Sequence, residues 1–174
     1  MNPASVALTS VAAADRATLR DLAGSIWRRH YAEIIPPGQI EHMLAARFDD
    51  EALLEHLREA DRWLELLRVS GVPAGYVAYE LGHGDGVAGP DAMKLGQLYV
   101  AEAHRGAGLG RFMLGHVEDR ARCLGRQRLV LQVNKRNTGA IGFYEAAGFT
   151  ITRAAVFDIG SGFVMDDYVM ETSI

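Results

Sequence analysis

The sequence holds a single cysteine, Cys123, in 174 residues. One thiol closes no internal disulfide, so nothing in the chain calls for an oxidising compartment. No nucleophile motif surrounds Cys123, and on a helix it reads as a small buried hydrophobe. No apolar run approaches the length that spans a bilayer. The first fifteen residues lack a basic segment, and Asp15 and Arg16 break a mild apolar stretch, which argues against a signal peptide. Positive charge is not in excess either: 18 basic side chains against 22 acidic ones leave a formal charge of −4. That balance gives no general attraction to nucleic acid or anionic lipid. The six histidines form no HExxH pattern, and His83 has no second ligand at metal spacing. The expectation is a cytoplasmic protein without a metal, a membrane or a nucleic-acid partner.

What is present is ordinary globular material, 49% hydrophobic and 23% charged. The length fits one domain over residues 1–174, and no repeats, low-complexity tracts or linkers divide it. A short strand is expected around Ser5 to Thr9. Leu19, Leu22, Ala23, Ile26 and Trp27 then recur at helical spacing, with Asp15 in the position of an N-cap. Two prolines in "YAEIIPPGQIEHML" suit a helix start before the stripe Ile40, Met43 and Leu44, and Leu53, Leu54 and Leu57 form a third stripe. "RWLELLRVSG" and "PAGYVAYEL" read as a hairpin, and after the loop "GHGDGVAGPD", where His83 reads as exposed, comes a fourth strand, "AMKLGQLYV". Leu109, Phe112, Met113, Val117, Ala121 and Leu124 mark a helix stopped by Gly125. "RLVLQV" is a buried strand, "NTGAIGFYEAAGF" a short helix capped by Asn137 and ended by Gly148, and the tail is a hairpin divided by "GSG".

The stretch "AHRGAGLGRFML" places three glycines between a strand and an amphipathic helix. A P-loop needs GxxxxGK and no lysine stands there; a dinucleotide fingerprint needs GxGxxG, but its sixth position is Arg111 or Met113. What remains is Arg105-x-x-Gly108-x-Gly110, where bare amides at a helix N-terminus can converge on an anion and Arg105 and Arg111 add charge-assisted donors; the other reading is glycines that only allow a tight turn.

Together with "NKRNTGAIGFYEAAGF", the segment "LYVAEAHRGAGLGRFML" resembles the GCN5-related N-acetyltransferase (GNAT) family. The likeness runs from about Ala92 to the C-terminus, and "SGFVMDDYVM" resembles the last hairpin of many bacterial members. It implies an α/β (α+β) fold: a central mixed, mostly antiparallel sheet of about seven strands, helices on both faces, and fourth and fifth strands that splay to admit acetyl-CoA. On the family pattern, Leu98, Tyr99 and Val100 pair through their main chain with the pantetheine amides, as another strand would. Arg105, Gly106, Ala107, Gly108, Leu109, Gly110 and Arg111 hold the pyrophosphate, Asn137 and Ala140 flank the lower pantetheine arm, and Tyr144 lies near the sulfur.

The implied reaction is direct attack of a primary amine on the thioester. A lysine-like amine with pKa about 10.4 costs roughly 4–5 kcal/mol to deprotonate at pH 7, so a base or water chain is needed. A departing thiolate with pKa about 8.5 can take a proton from a tyrosine with pKa about 10, at a penalty of roughly 2 kcal/mol. Tyr144 is the expected general acid; the other reading is an aromatic packed beside Phe143 and Phe149. Several family members carry a glutamate base near the start of the fourth strand, where this sequence offers Lys94 and Gln97; Glu80 and Glu33 are the replacements considered. Tyr31, Glu33, Asp166 and Asp167 are the candidate acceptor-site residues; strand alternation allows one of the two aspartates to face the site while the other meets solvent, and the other reading has both in solvent. The acceptor is expected to be a small-molecule amine. A peptide or protein amine (N-terminus or lysine) is the rival within the enzyme class, and a CoA-binding sensor without turnover the rival outside it. A homodimer through an edge strand or the final hairpin stays open.

Overall fold

In a computed structural model of the chain, residues 5–84 and 86–174 are described. The elements run β1 (Val6–Ser10), a 3-10 turn (Ala13–Asp15), α1 (Arg16–His30), α2 (Pro37–Phe48), α3 (Asp50–Arg58), β2 (Arg62–Val69), β3 (Val72–Leu81) and β4 (Ala92–Val100). A second 3-10 turn (Glu102–His104) leads to α4 (Leu109–Cys123), β5 (Arg128–Asn134), α5 (Thr138–Ala146), β6 (Thr150–Gly160) and β7 (Phe163–Ser173). The strands hydrogen-bond in the order β1-β2-β3-β4-β5-β7-β6. β4 and β5 pair in parallel, while the ladders β1–β2, β5–β7 and β6–β7 are antiparallel. This is the mixed seven-stranded α/β architecture that the sequence implies. No helix among the described residues is long and apolar enough to cross a membrane.

The parallel ladder covers only Ala92–Leu95 against Arg128–Leu131, although β4 continues to Val100 and β5 to Asn134. Two compact units are distinguished. The first lies within Met1–Tyr79 and Gln97–Leu114, the second within Glu80–Gly96 and Gly115–Ile174.

In the first unit, α1 buries Leu19, Ala23, Ile26 and Trp27, one stripe at i, i+4, i+7 and i+8. Pro36 and Pro37 occupy the N-cap and first turn of α2, where a missing N–H costs nothing. Asp49 starts α3 with its carboxylate accepting the Ala52 N–H at 2.7 Å. Asp15 does precede α1, but its carboxylate does not cap that helix. It turns back to accept the Ala12 N–H at 3.0 Å and pairs with Arg68 at 2.9 Å: at the N-cap its backbone is already helical (φ −85°, ψ −7°) where a capping residue is ordinarily extended.

In the second unit, Leu129, Leu131 and Val133 of β5 are buried, as is Met170 of β7 opposite Leu131. Val130, Val169, Ala88 and Ala92 form a separate cluster with Val87 and Phe157 against it. α4 has its residues up to Leu114 in the first unit and the rest in the second; along it Leu109, Met113, Leu114, Val117 and Ala121 are buried. Phe112 is 46% exposed and Leu124 half-buried. Cys123 also corrects the sequence reading: it is exposed, because two positions beyond Ala121 carries it off that stripe.

Candidate active site

The glycine loop belongs to the first unit. Gly106 and Gly108 have φ of +78° and +75°, a region that only glycine enters without strain. The two left-handed residues turn the chain from the second 3-10 turn into α4, whose first carbonyl bond runs from Phe112 N–H to Gly108 at 3.0 Å. Arg105 N–H returns to Glu102 at 3.1 Å. Among the described residues, none of the amides from Gly106 to Arg111 donates to a backbone carbonyl. Bare donors at a helix N-terminus are the kind of group that can receive an anion, with the helix dipole behind them. Leu109 is buried under the loop, and Arg105 and Arg111 are exposed on it. Arg105 donates from Nε to the Val100 carbonyl at 3.2 Å, so its stem fastens the loop to the end of β4.

Leu98, Tyr99 and Val100 are half-buried. Gly75 of β3 lets β4 come close: a Cβ there would sit 2.4 Å from the Tyr99 carbonyl oxygen and 3.2 Å from the Val100 Cα. The Tyr99 phenol meets Tyr31, another of the sequence candidates, with 2.7 Å between their oxygens. Around them Trp27 donates its indole N–H to the Tyr76 hydroxyl at 2.7 Å. Burial pushes the Tyr76 and Tyr99 phenols well above the ordinary tyrosine pKa. They are therefore neutral hydrogen-bonding groups and poor bases. Glu33 is exposed on the segment after α1.

The other candidates lie in the second unit. Asn137 is the buried N-cap of α5, its side chain accepting the Ala140 N–H at 3.3 Å. Tyr144 is 8% exposed, edge-on to Phe143 at 5.1 Å and to Phe149 at 5.4 Å. The aromatic packing weighed from the sequence is thus present, and it fixes the ring. Glu80 faces the Lys94 ammonium at 3.5 Å. Asp166 is exposed and pairs with Lys135, while Asp167 is 4% exposed, so the reading that puts both aspartates in solvent does not hold. Asp167 stands opposite Asn134 in the β5–β7 ladder, and directly opposed residues share a face.

Sequence reasoning missed three of these features: the Tyr99 side chain, the Trp27–Tyr76 bond and Asn134. The sequence pattern points to Tyr99 through its main chain only, and Asn134 closes an apolar strand. A polar residue closing a buried strand was the available signal for Asn134.

The chain belongs to the acetyltransferase (GNAT) family, whose family model matches residues 22–149. A curated relative, the L-methionine sulfoximine/L-methionine sulfone acetyltransferase of Salmonella typhimurium (strain LT2), is 38% identical over 55 residues, which is 32% of this chain. The match spans about a third (32%) of that relative's length. Among solved structures, the PaiA N-acetyltransferase of Thermoplasma acidophilum in complex with coenzyme A aligns over 98% of this chain and 99% of its own, with TM-score 0.80 and 20% identity. The ribosomal-protein-S18-alanine N-acetyltransferase of Escherichia coli aligns over 98% and 94%, with TM-score 0.70 and 18% identity. At these identities the likeness is one of fold.

Proposed function

We propose that the protein, acting as one domain, transfers the acetyl group of acetyl-CoA to a primary amine of a small molecule. The observation that carries this reading is the run of uncommitted amides from Gly106 to Arg111 in a chain of the GNAT family. A diphosphate is the anion of matching size and charge, and Arg105 and Arg111 stand beside it. Leu98 and Val100 offer main-chain groups to the pantetheine amides, on a stretch of β4 beyond its ladder with β5. Asn137 and Ala140 take the lower arm of the cofactor.

The amine lone pair attacks the thioester carbonyl, the C–S bond breaks, and the thiolate takes the phenol proton of Tyr144. Before the attack the ammonium gives up a proton to Glu80 or Glu33, directly or through water; after it the nitrogen loses its second proton to solvent, and solvent returns a proton to Tyr144. Rigid packing of the Tyr144 ring serves this role, since proton transfer requires hydrogen-bond reach. Buried Asp167 attracts the cationic amine before it is deprotonated. A small-molecule acceptor is favoured by the curated relative, which is named for two small molecules.

The test is release of free thiol from acetyl-CoA across a panel of small amines, peptides with free N-termini and lysine peptides. Amine-dependent release with small amines supports the reading. Release confined to peptides moves the acceptor to protein amines, and stabilisation by CoA with no release from any amine makes the protein a sensor.

A further inference from the structure

Asn134 closes β5 in the second unit. It lies past Leu131, where the ladder with β4 ends, and the stretch from Gln132 to Asn134 is laddered to β7. Alternation along β5 puts Asn134 on the face of Val130 and Gln132, and its cross-strand partner Asp167 shares that face. Both are buried, Asn134 at 8% exposure and Asp167 at 4%. A polar side chain buried on a strand of Leu and Val costs stability unless its hydrogen bonds are made.

The turn into α5 uses half of the Asn134 amide. Oδ1 accepts the Arg136 N–H at 2.9 Å, and the main-chain carbonyl of Asn134 accepts the Asn137 N–H at 2.9 Å. The first bond fixes which way the amide faces, because a flipped amide would bring its own NH2 group against the Arg136 N–H. Nδ2 therefore points away from the turn with two hydrogens, and among the described residues no acceptor meets it. A buried donor pair held in place by the backbone of a turn is set for an oxygen that these residues do not supply.

We propose that Asn134 is a specificity residue of the acceptor site, donating from Nδ2 to an uncharged oxygen on the carbon next to the amine carbon of the acceptor. The inference rests on the acetyltransferase reading, in which Asp167 draws the ammonium, and narrows its acceptor to vicinal amino amides and amino alcohols. Directly opposed residues hold their Cβ atoms ~5 Å apart, a span that an amine and a vicinal oxygen bridge. The carboxyl of Asp167 disfavours a carboxylate in the same place, and a hydrocarbon there leaves both Nδ2 hydrogens without an acceptor.

The experiment compares kcat/KM for matched sets built on glycine, alanine and leucine: the primary amide, the amino alcohol, the free acid and the amine with none of these groups. The enzymes are the wild type, Asn134→Asp and Gln132→Glu. Asn134→Asp keeps an oxygen for the Arg136 N–H and removes the two donor hydrogens; Gln132→Glu adds the same charge on the same face and serves as control. The wild type and Gln132→Glu are expected to prefer amides and alcohols to plain amines. In Asn134→Asp that preference falls about tenfold, mainly through KM, with the melting temperature held within a few degrees. If Asn134→Asp does not fold, Asn134→Ser, whose hydroxyl makes the same turn more weakly, repeats the comparison. Plain amines or free acids used as well as amides by the wild type, a preference untouched by Asn134→Asp, or one lost equally in Gln132→Glu would overturn the role. Thiol release absent with every amine would instead sink the acetyltransferase reading. Binding then decides the subsite: amides must raise the melting temperature of the wild type more than plain amines do, and that margin must vanish in Asn134→Asp.

Discussion

Arg105 turns its guanidinium back on the strand before it, Nε donating to the Val100 carbonyl at 3.2 Å. The loop that follows is therefore anchored at its start by a side chain and at its end by α4, while its middle depends on two left-handed glycines. A Cβ at Gly108 meets nothing within 4 Å, so Gly108→Ala brings backbone strain of about 1–2 kcal/mol and no collision. The expected outcome is a melting temperature lower by a few degrees and a CoA dissociation constant raised more than tenfold, measured by thermal shift and titration calorimetry. An unchanged dissociation constant would separate the loop from the cofactor.

The bond from Trp27 to Tyr76 lies wholly inside the first unit, with the two residues 1% and 0% exposed. Tyr76→Phe keeps the ring and leaves the indole N–H buried without an acceptor, which costs about 1–3 kcal/mol. Urea denaturation should show a lower midpoint with an unaltered slope. A midpoint equal to that of the wild type would mean that another acceptor takes the indole proton.

Gly75 tests how closely β3 and β4 must approach. In Gly75→Ala the new methyl meets backbone atoms, the Tyr99 carbonyl oxygen first, so β4 has to move where the pantetheine amides are proposed to pair. Weaker CoA binding together with lower stability is expected. Gly115→Ala on α4, where a Cβ meets nothing within 4 Å, is the contrast; alanine's better helix propensity should leave stability equal or higher. Equal behaviour of the two variants would contradict the close approach.

In the second unit Arg128 grips Asp91 with two bonds of 2.9 Å and also reaches Glu171. Hydrogen bonds from Arg128 hold the Asp91 carboxyl below its ordinary pKa. A carboxyl depressed in the folded state adds stability that is complete above its unfolded value and lost as pH falls through the lower folded value. Asp91→Asn should therefore melt below the wild type at pH 7, and the difference should shrink on acidification below the ordinary carboxylate range. A difference that stays constant with pH would assign the effect to packing.

Much of this was legible in the sequence because local rules decide it. The stripe from Leu19 to Trp27 gave α1, the prolines at 36 and 37 placed the start of α2, and Asn137 with Gly148 bounded α5. The spacing of Arg105, Gly108 and Gly110 marked the loop whose amides from Gly106 to Arg111 lack backbone acceptors. The pairing of Tyr31 with Tyr99 was not legible, since it joins residues 68 apart through the packing of a helix on a strand. Asp15 misled as a cap for a similar reason: Arg68, 53 residues away, competes for its carboxylate. Cys123 is exposed against the average for its residue type because its angle on α4 lies off the buried stripe.

The central claim is that the amides from Gly106 to Arg111 hold a diphosphate, and calorimetric titration with CoA and with pantetheine, which shares its thiol arm and lacks the diphosphate, tests it most directly. The account predicts CoA binding tighter than pantetheine by about 100-fold or more, the equivalent of two charge-assisted bonds, with the gap narrowed in Gly108→Ala. Equal affinity for the two ligands would contradict it.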